Sequence, residues 1–401
     1  VSNRALSNQE VRLEKKQLIL NIAQRLVQTQ TDIDNRRFNL PSEVAENYHN
    51  KLLKLQKKLT SLYFDIDLSY LKAQYAQLSD WLANSPDLAQ QNRAVKKNQA
   101  DSATKSIEQI RTRLDNDAQF HQLPVELKDD YQTKFSTLAS NFTELYFAID
   151  LRYFSQYYTE LKNQLTPNMP LIALGSEDET NILSAGTAVL SAMRSLKDEV
   201  QTAIQAGKDY NGTLKQLASV YEQIDGLIHY QYWIVQLTVL NNTLSKDIDS
   251  TALTEKQVSE VRSTLVSYYE KASELLTVLE TQNTYPNYKA QLEGLSKTLA
   301  QNHARIAFNY LTQQYALLDI ATFLATTHLS TEHFAHLVKR LEKLEKIATG
   351  YQEQVFAEAI EPFVGKLIGL RHNAKLDAIK LNLKYYHSQY GQADDWFNVE
   401  W

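Results

Sequence analysis

The 401-residue chain contains no cysteine, which removes disulfides, thiolate metal sites and cysteine nucleophiles together. A reducing cytosol and a cysteine-free bacterial envelope are both compatible with that. Glycine and proline are scarce, at ten and seven residues, and no glycine precedes Gly175. The first part of the chain therefore has almost no flexible punctuation. No apolar run approaches the ~20 residues needed to span a bilayer. The most apolar stretch, 316–325, is short and is broken by Asp319. Positive charge is not in excess either. A net charge of −5 and a pI near 6.0 argue against a nucleic-acid binder, whose affinity needs a basic surface. The chain opens on Val1 rather than Met, which is compatible with a removed leader or a membrane tether outside it.

What is present is repetition. The stretch Leu62-Tyr63-Phe64-Asp65-Ile66-Asp67-Leu68-Ser69-Tyr70 returns as Leu145-Tyr146-Phe147-Ala148-Ile149-Asp150-Leu151-Arg152-Tyr153, 83 residues on. Fainter copies run through Ile228–Trp233, Ile306–Leu311 and Leu381–Tyr386. Tyr70, Tyr153, Tyr232, Tyr310 and Tyr385 fall in one column at spacings of 83, 79, 78 and 75 residues. The same offsets align Tyr48, Tyr131, Tyr210, Tyr288 and Phe363. They also align Leu52, Phe135, Leu214, Leu292 and Leu367, and again Leu55, Leu138, Leu217, Leu295 and Leu370. Columns held in register across five copies define a tandem repeat.

Each copy reads as a shorter helix followed by a longer one. In the first, apolar residues from Val11 to Ile33 mark one helix over about 8–34. Tyr48, Leu52, Leu55, Leu59, Leu62 and Ile66 then mark a second over about 41–83 as a single seam stepping by fours and threes. From Phe64 onward a second stripe joins it (Leu68, Leu71, Tyr75, Leu78, Leu82), so that half should be buried from two directions. Pro41, Ser85-Pro86-Asp87 and Leu123-Pro124 punctuate helix starts. Ser176–Glu179 and Thr254–Gln257 have the pattern of capping boxes. Gly207, Thr284-Tyr285-Pro286 and Thr349-Gly350 mark turns, with the long helix of the fourth copy running to about 326.

The expected fold class is all-α: about five two-helix repeats at 1–87, 88–170, 171–250, 251–328 and 329–390, with a tail at 391–401, forming an elongated helical-bundle rod or an α-solenoid. Stacked hairpins and short three-helix bundles sharing each long helix both satisfy the pattern. The second arrangement resembles spectrin-type repeats, including the spectrin-like bacterial regulator of septation-ring formation, though with a shorter period. That resemblance is architectural and implies a membrane-tethered scaffold built from a helical array.

Candidate sites are few. The tyrosine column (Tyr70, Tyr153, Tyr232, Tyr310, Tyr385) is expected to make contacts between repeats, with rings buried and hydroxyls at a polar edge. Asp67 and Asp150 share a column inside the apolar motif and could pair as an acidic site. However, the column continues as His229, Ala307 and Asn382. A structural role, on a polar face or bonded to a tyrosine hydroxyl, is the preferred reading, as it is for Asp65. His328, Glu332, His333 and His336 are the densest metal-capable group, and two imidazoles three apart can meet one ion. Ordinary surface histidines at a helix start are the plainer explanation. Lys51, Lys54, Lys57 and Lys58 read as a solvated face near Glu43 and Glu46. The many tyrosines could line a binding surface, but at helical spacing they are more often core.

Phosphate-cradling glycine loops, nucleophile elbows and His-Glu-x-x-His are absent from the sequence. The expectation is a non-enzymatic scaffold with protein partners, no cofactor, no metal and no nucleic acid. A bacterial envelope is preferred over the cytoplasm. The competing expectation is a ligand-binding or adhesive module for peptide or glycan, with its groove in repeats three to five.

Overall fold

A computed structural model describes residues 9–35, 41–85, 90–116, 124–247, 254–282, 285–320, 322, 330–352 and 361–390. Among them every regular element is helical. The helices are α1 (Gln9–Asn35), α2 (Ser42–Asn84), α3 (Gln90–Asn116), α4 (Val125–Gln164) and α5 (Glu177–Gln205). Then α6 runs through Asn211–Gly226, a π-turn at Leu227–Gln231 and Tyr232–Asp247. It is followed by α7 (Glu255–Gln282), α8 (Pro286–Ala316), α9 (Thr331–Gln352) and α10 (Glu361–Tyr390). The short-then-long alternation is the expected one.

The helix ends show why these boundaries fall where they do. Thr254 and Gln257 form a reciprocal box: Gln257 N–H donates to Thr254 Oγ1 at 3.3 Å and Thr254 N–H donates to Gln257 Oε1 at 2.9 Å. Two orphan donors of α7 are thereby satisfied. At α5 the box is skewed by one residue. Ser176 Oγ accepts the Glu179 N–H, but the Glu179 carboxylate accepts from Gly175 rather than from Ser176. Gly207, at φ +83°, closes α5 with a left-handed residue whose neighbour Lys208 donates back to Ala203, as a helix C-terminus favours. Pro41, Pro124 and Pro286 each stand at a long-helix start, where the missing N–H costs nothing. Two expected ends moved. The chain leaves α8 at Ala316, and Asp319 takes φ +43°. α9 continues past Gly350 to Gln352. The predicted cap at Ser85-Pro86-Asp87 lies mostly outside the described residues, and Ser85 itself closes α2.

The chain divides into two compact units, Val1–Glu160 with Val189–Glu222, and Leu161–Ala188 with Gln223–Trp401. Sequence repeats and compact units therefore do not coincide. In the first unit one core joins the second half of α2 (Phe64, Leu71, Leu78), α3 (Ala100, Ile107, Leu114) and the first half of α4 (Tyr131, Phe135, Phe142). That is the predicted two-sided half of a long helix, and its second side meets the next repeat. Of the two arrangements, this core has the form of a three-helix bundle, made by the second half of α2, α3 and the first half of α4. In the second unit Leu227, Trp233, Leu265, Tyr268, Leu292, Leu311, Leu341 and Leu381 are buried.

Candidate functional site

The two aspartates in the apolar motif are buried, and each is held by the short helix of its own repeat. On α1, Arg12 and Lys16 lie one turn apart and both reach Asp67: Nε to Oδ1 at 2.6 Å and Nζ to Oδ2 at 2.6 Å. The Arg12 guanidinium also lies 4.7 Å from the centre of the Tyr70 ring, and Lys16 Nζ lies 3.8 Å from that of Tyr63. Repeat two reproduces the cluster residue for residue. Arg93 Nε meets Asp150 Oδ1 at 2.6 Å, and Lys97 holds the other oxygen. Arg93 covers Tyr153 at 4.4 Å and Lys97 covers Tyr146 at 3.9 Å.

The chemistry of this cluster is balance. Two cations face one carboxylate, which leaves a surplus positive charge in a mostly dry place. The negative faces of two tyrosines receive that surplus. A buried pair of this kind adds little net stability over an apolar one, but removing one member leaves a stranded charge. We read it as a register lock between short and long helix. Asp67 and Asp150 thus sit in separate clamps and do not form a paired acidic site.

Sequence reading missed Arg12, Lys16, Arg93 and Lys97. The signal was there: Arg-x-x-x-Lys occurs on α1 and again on α3, 81 residues later, close to the period of the motif. Asp65 is exposed and accepts the Tyr131 hydroxyl at 2.8 Å, as the structural reading of a carboxylate bonded to tyrosine had it.

The tyrosine column has a mixed placement. Tyr70 belongs to the core shared by α2, α3 and α4, while its polar partners are Arg12 and Gln74. Tyr153 is covered by Arg93 of the same repeat, and Tyr385 stacks on Phe334 at 4.3 Å, also within its repeat. Tyr232 and Tyr310 are buried, and burial raises both phenols; Glu179 and Tyr268 add to the effect at Tyr232 and Glu255 at Tyr310. A different column carries ring contacts between successive repeats. Tyr131 packs on Phe64 with centroids 5.5 Å apart, Tyr210 on Phe147 at 5.2 Å, and Tyr288 on Tyr230 at 5.7 Å. In the last of these, Gly226 stands in the column of Phe64 and Phe147, because the space a side chain would need is filled by the Tyr288 ring. Tyr230, in the π-turn one helical turn on, supplies the missing ring.

The remaining candidates resolve simply. His333 N–H donates to Ser330 Oγ, and its ring nitrogen pairs with the same hydroxyl at 2.9 Å. Glu332 and His336 are exposed, and His328 lies outside the described residues. Among the described residues no group of three or more His, Asp or Glu has metal-holding geometry, and no helix is long and apolar enough to cross a membrane. Lys51, Lys54, Lys57 and Lys58 are exposed. A cleft of about 610 Å³ lies over α2 between α1 and α3, with Gln9, Gln74, Gln77 and Gln99 on its walls beside Tyr70 and Phe142.

No family description, curated protein or solved structure matches the chain. Its class therefore rests on its own residues: an all-helical repeat protein whose most conspicuous buried charges are spent on fixing helices to one another.

Proposed function

We propose that the chain is a non-enzymatic structural and interaction scaffold, acting through protein partners and without cofactor. The observation that carries this reading is the duplicated clamp. The buried carboxylates of the first two repeats, Asp67 and Asp150, are each held by an arginine and a lysine whose cationic ends also meet tyrosine rings. A rigid array that spaces partners needs such locks; a catalyst needs unsatisfied groups. Small-angle scattering tests the reading. An extended array has a radius of gyration well above the ~21 Å of a compact chain of this length, and a compact value sinks it. A bacterial envelope location belongs to the same proposal and is tested by fractionating the native host.

A second reading, a module for peptide or glycan, draws on the amide-rich cleft over α2. Side-chain amides beside aromatic rings suit polar ligands. It requires saturable binding on a glycan or peptide array that Gln74→Ala together with Gln99→Ala weakens.

A further inference from the structure

The first two joints between repeats bury one seam, and the first and last repeats differ from them. At the joints, the first half of a long helix lays its seam against the preceding long helix. Tyr131, Leu138 and Leu145 of α4 are buried in this way, and so are Tyr210 and Leu217 at the next joint. The same three columns in α2 are Tyr48, Leu55 and Leu62, and these are 50, 48 and 51 % exposed. The short helix agrees. Setting Arg12 and Lys16 against Arg93 and Lys97 brings Ile22 over Ala103, and Ile22 is exposed where Ala103 is buried. So α1 and the first half of α2 show a bundle face without the long helix that covers its counterparts.

The receiving half of that joint recurs at the other end. Phe64, Phe147 and Ala304 form a buried column that continues as Ile379, 52 % exposed. Leu68 and Tyr230 are buried, and Leu151 and Phe308 half-buried, in the column that ends in Leu383, 38 % exposed. The first and last repeats thus expose apolar residues in columns that internal repeats bury.

We propose that the chain associates head to tail with copies of itself, the second half of α10 in one copy docking on the exposed face of α1 and α2 in the next. This rests on the scaffold reading and says what such a scaffold first binds. A second copy is the indicated occupant because its α10 brings Ile379 and Leu383, from the two columns that meet the Tyr48 column at the internal joints. The two faces differ, so the contact is heterologous and does not close on itself as a two-fold dimer does.

Sedimentation of the full chain over a range of concentrations tests this, together with two double variants. One carries Leu55→Glu with Leu62→Glu; the other carries Ile379→Glu with Leu383→Glu. All four residues are exposed, and unchanged helicity by circular dichroism verifies folding. The wild type should grow in mass with concentration, and each double variant should weaken association by about tenfold or more. Mixing the two should restore a 1:1 dimer that grows no further, since each retains one competent face. A wild type that stays monomeric overturns the proposal, as does a mixture that fails to pair. It is overturned too if association survives in both variants, the result expected if another surface joins the copies; a monomeric wild type is the result expected if a partner of another kind covers these faces. None of these outcomes touches the scaffold reading, which is judged by scattering from the monomeric variants.

Discussion

Repeats one and two differ from repeat three in how they use the same column. Asp67 and Asp150 are buried ions, each gripped by an arginine and a lysine. His229 stands in their place on α6, about half exposed and beside Asp225 at 3.5 Å. Repeat three buries a neutral polar group instead. Gln236 accepts the Ile172 N–H at 2.8 Å and donates to the Pro170 carbonyl, so its amide holds the chain before α5 against α6. Farther along, Asn302 donates to Asn241 at 3.0 Å, and Asn241 donates to the Leu295 carbonyl. One lattice of apolar positions can thus be locked by ions or by amides. A buried polar group is tolerated wherever its hydrogen bonds are complete, so the lattice persists while the lock changes.

The sharpest way to break this contrast is to remove one ion. Asp67→Ala leaves Arg12 and Lys16 facing each other and should cost about 3–5 kcal/mol, read as a lower urea midpoint. His229→Ala, in the same column, should change stability by less than about 0.5 kcal/mol. The triple change Arg12→Met, Lys16→Met and Asp67→Leu should recover most of the loss, because an apolar set of similar size replaces the clamp. Equal losses in Asp67→Ala and His229→Ala would show that the clamp is not what distinguishes the repeats.

Acid should act next, through a buried histidine of the fourth repeat. His303 is buried in α8, and burial, with Arg262 nearby, lowers its pKa to about 4. The folded state then binds its proton less readily than the unfolded chain, whose histidine has a pKa near 6.5. Stability associated with His303 is intact above about pH 6.5 and is lost as pH falls toward 4, by up to roughly 3 kcal/mol. His303→Gln should remove that part of the pH dependence. An unchanged pH profile in the variant contradicts the assignment.

A smaller effect is expected at the third joint. A Cβ at position 226 falls 2.9 Å from the Tyr288 ring, so Gly226→Ala should lose about 1–3 kcal/mol through overpacking. Combining it with Tyr288→Leu should relieve much of that. Thermal melting of the single and double variants checks both.

The smallest effect compares two tyrosines of one column. The Tyr131 hydroxyl donates to Asp65 and to the Ser61 carbonyl, so Tyr131→Phe should cost about 1 kcal/mol. The Tyr210 hydroxyl is buried near Thr143 but outside hydrogen-bonding geometry. Ala148 stands where repeat one has Asp65. Tyr210→Phe should therefore be neutral or slightly stabilising, and a matching loss in both would refute the comparison.

Much of the architecture was legible from residues alone. Apolar spacing, proline at helix starts and the two capping boxes are local signals, and α1 to α7 begin or end within a few residues of them. The burial of α2 on two sides was also legible, because a second stripe at helical spacing has no use on a solvated face. The clamps were not. Arg12 and Lys16 look like surface cations in a polar helix; only the approach of α1 to Asp67, more than fifty residues away, makes them buried partners.

Sequence by itself determined that this chain is helical, repeated and keyed to columns of apolar and aromatic residues, since periodicity and local capping set helices directly. Tertiary structure decided which columns face a neighbour, because helices of equal amphipathicity can pack through several ridges. It placed ring contacts between successive repeats at Tyr131, Tyr210 and Tyr288 and put Tyr70 in a core shared with the next repeat, and it turned the motif aspartates from a candidate acidic site into two separate locks.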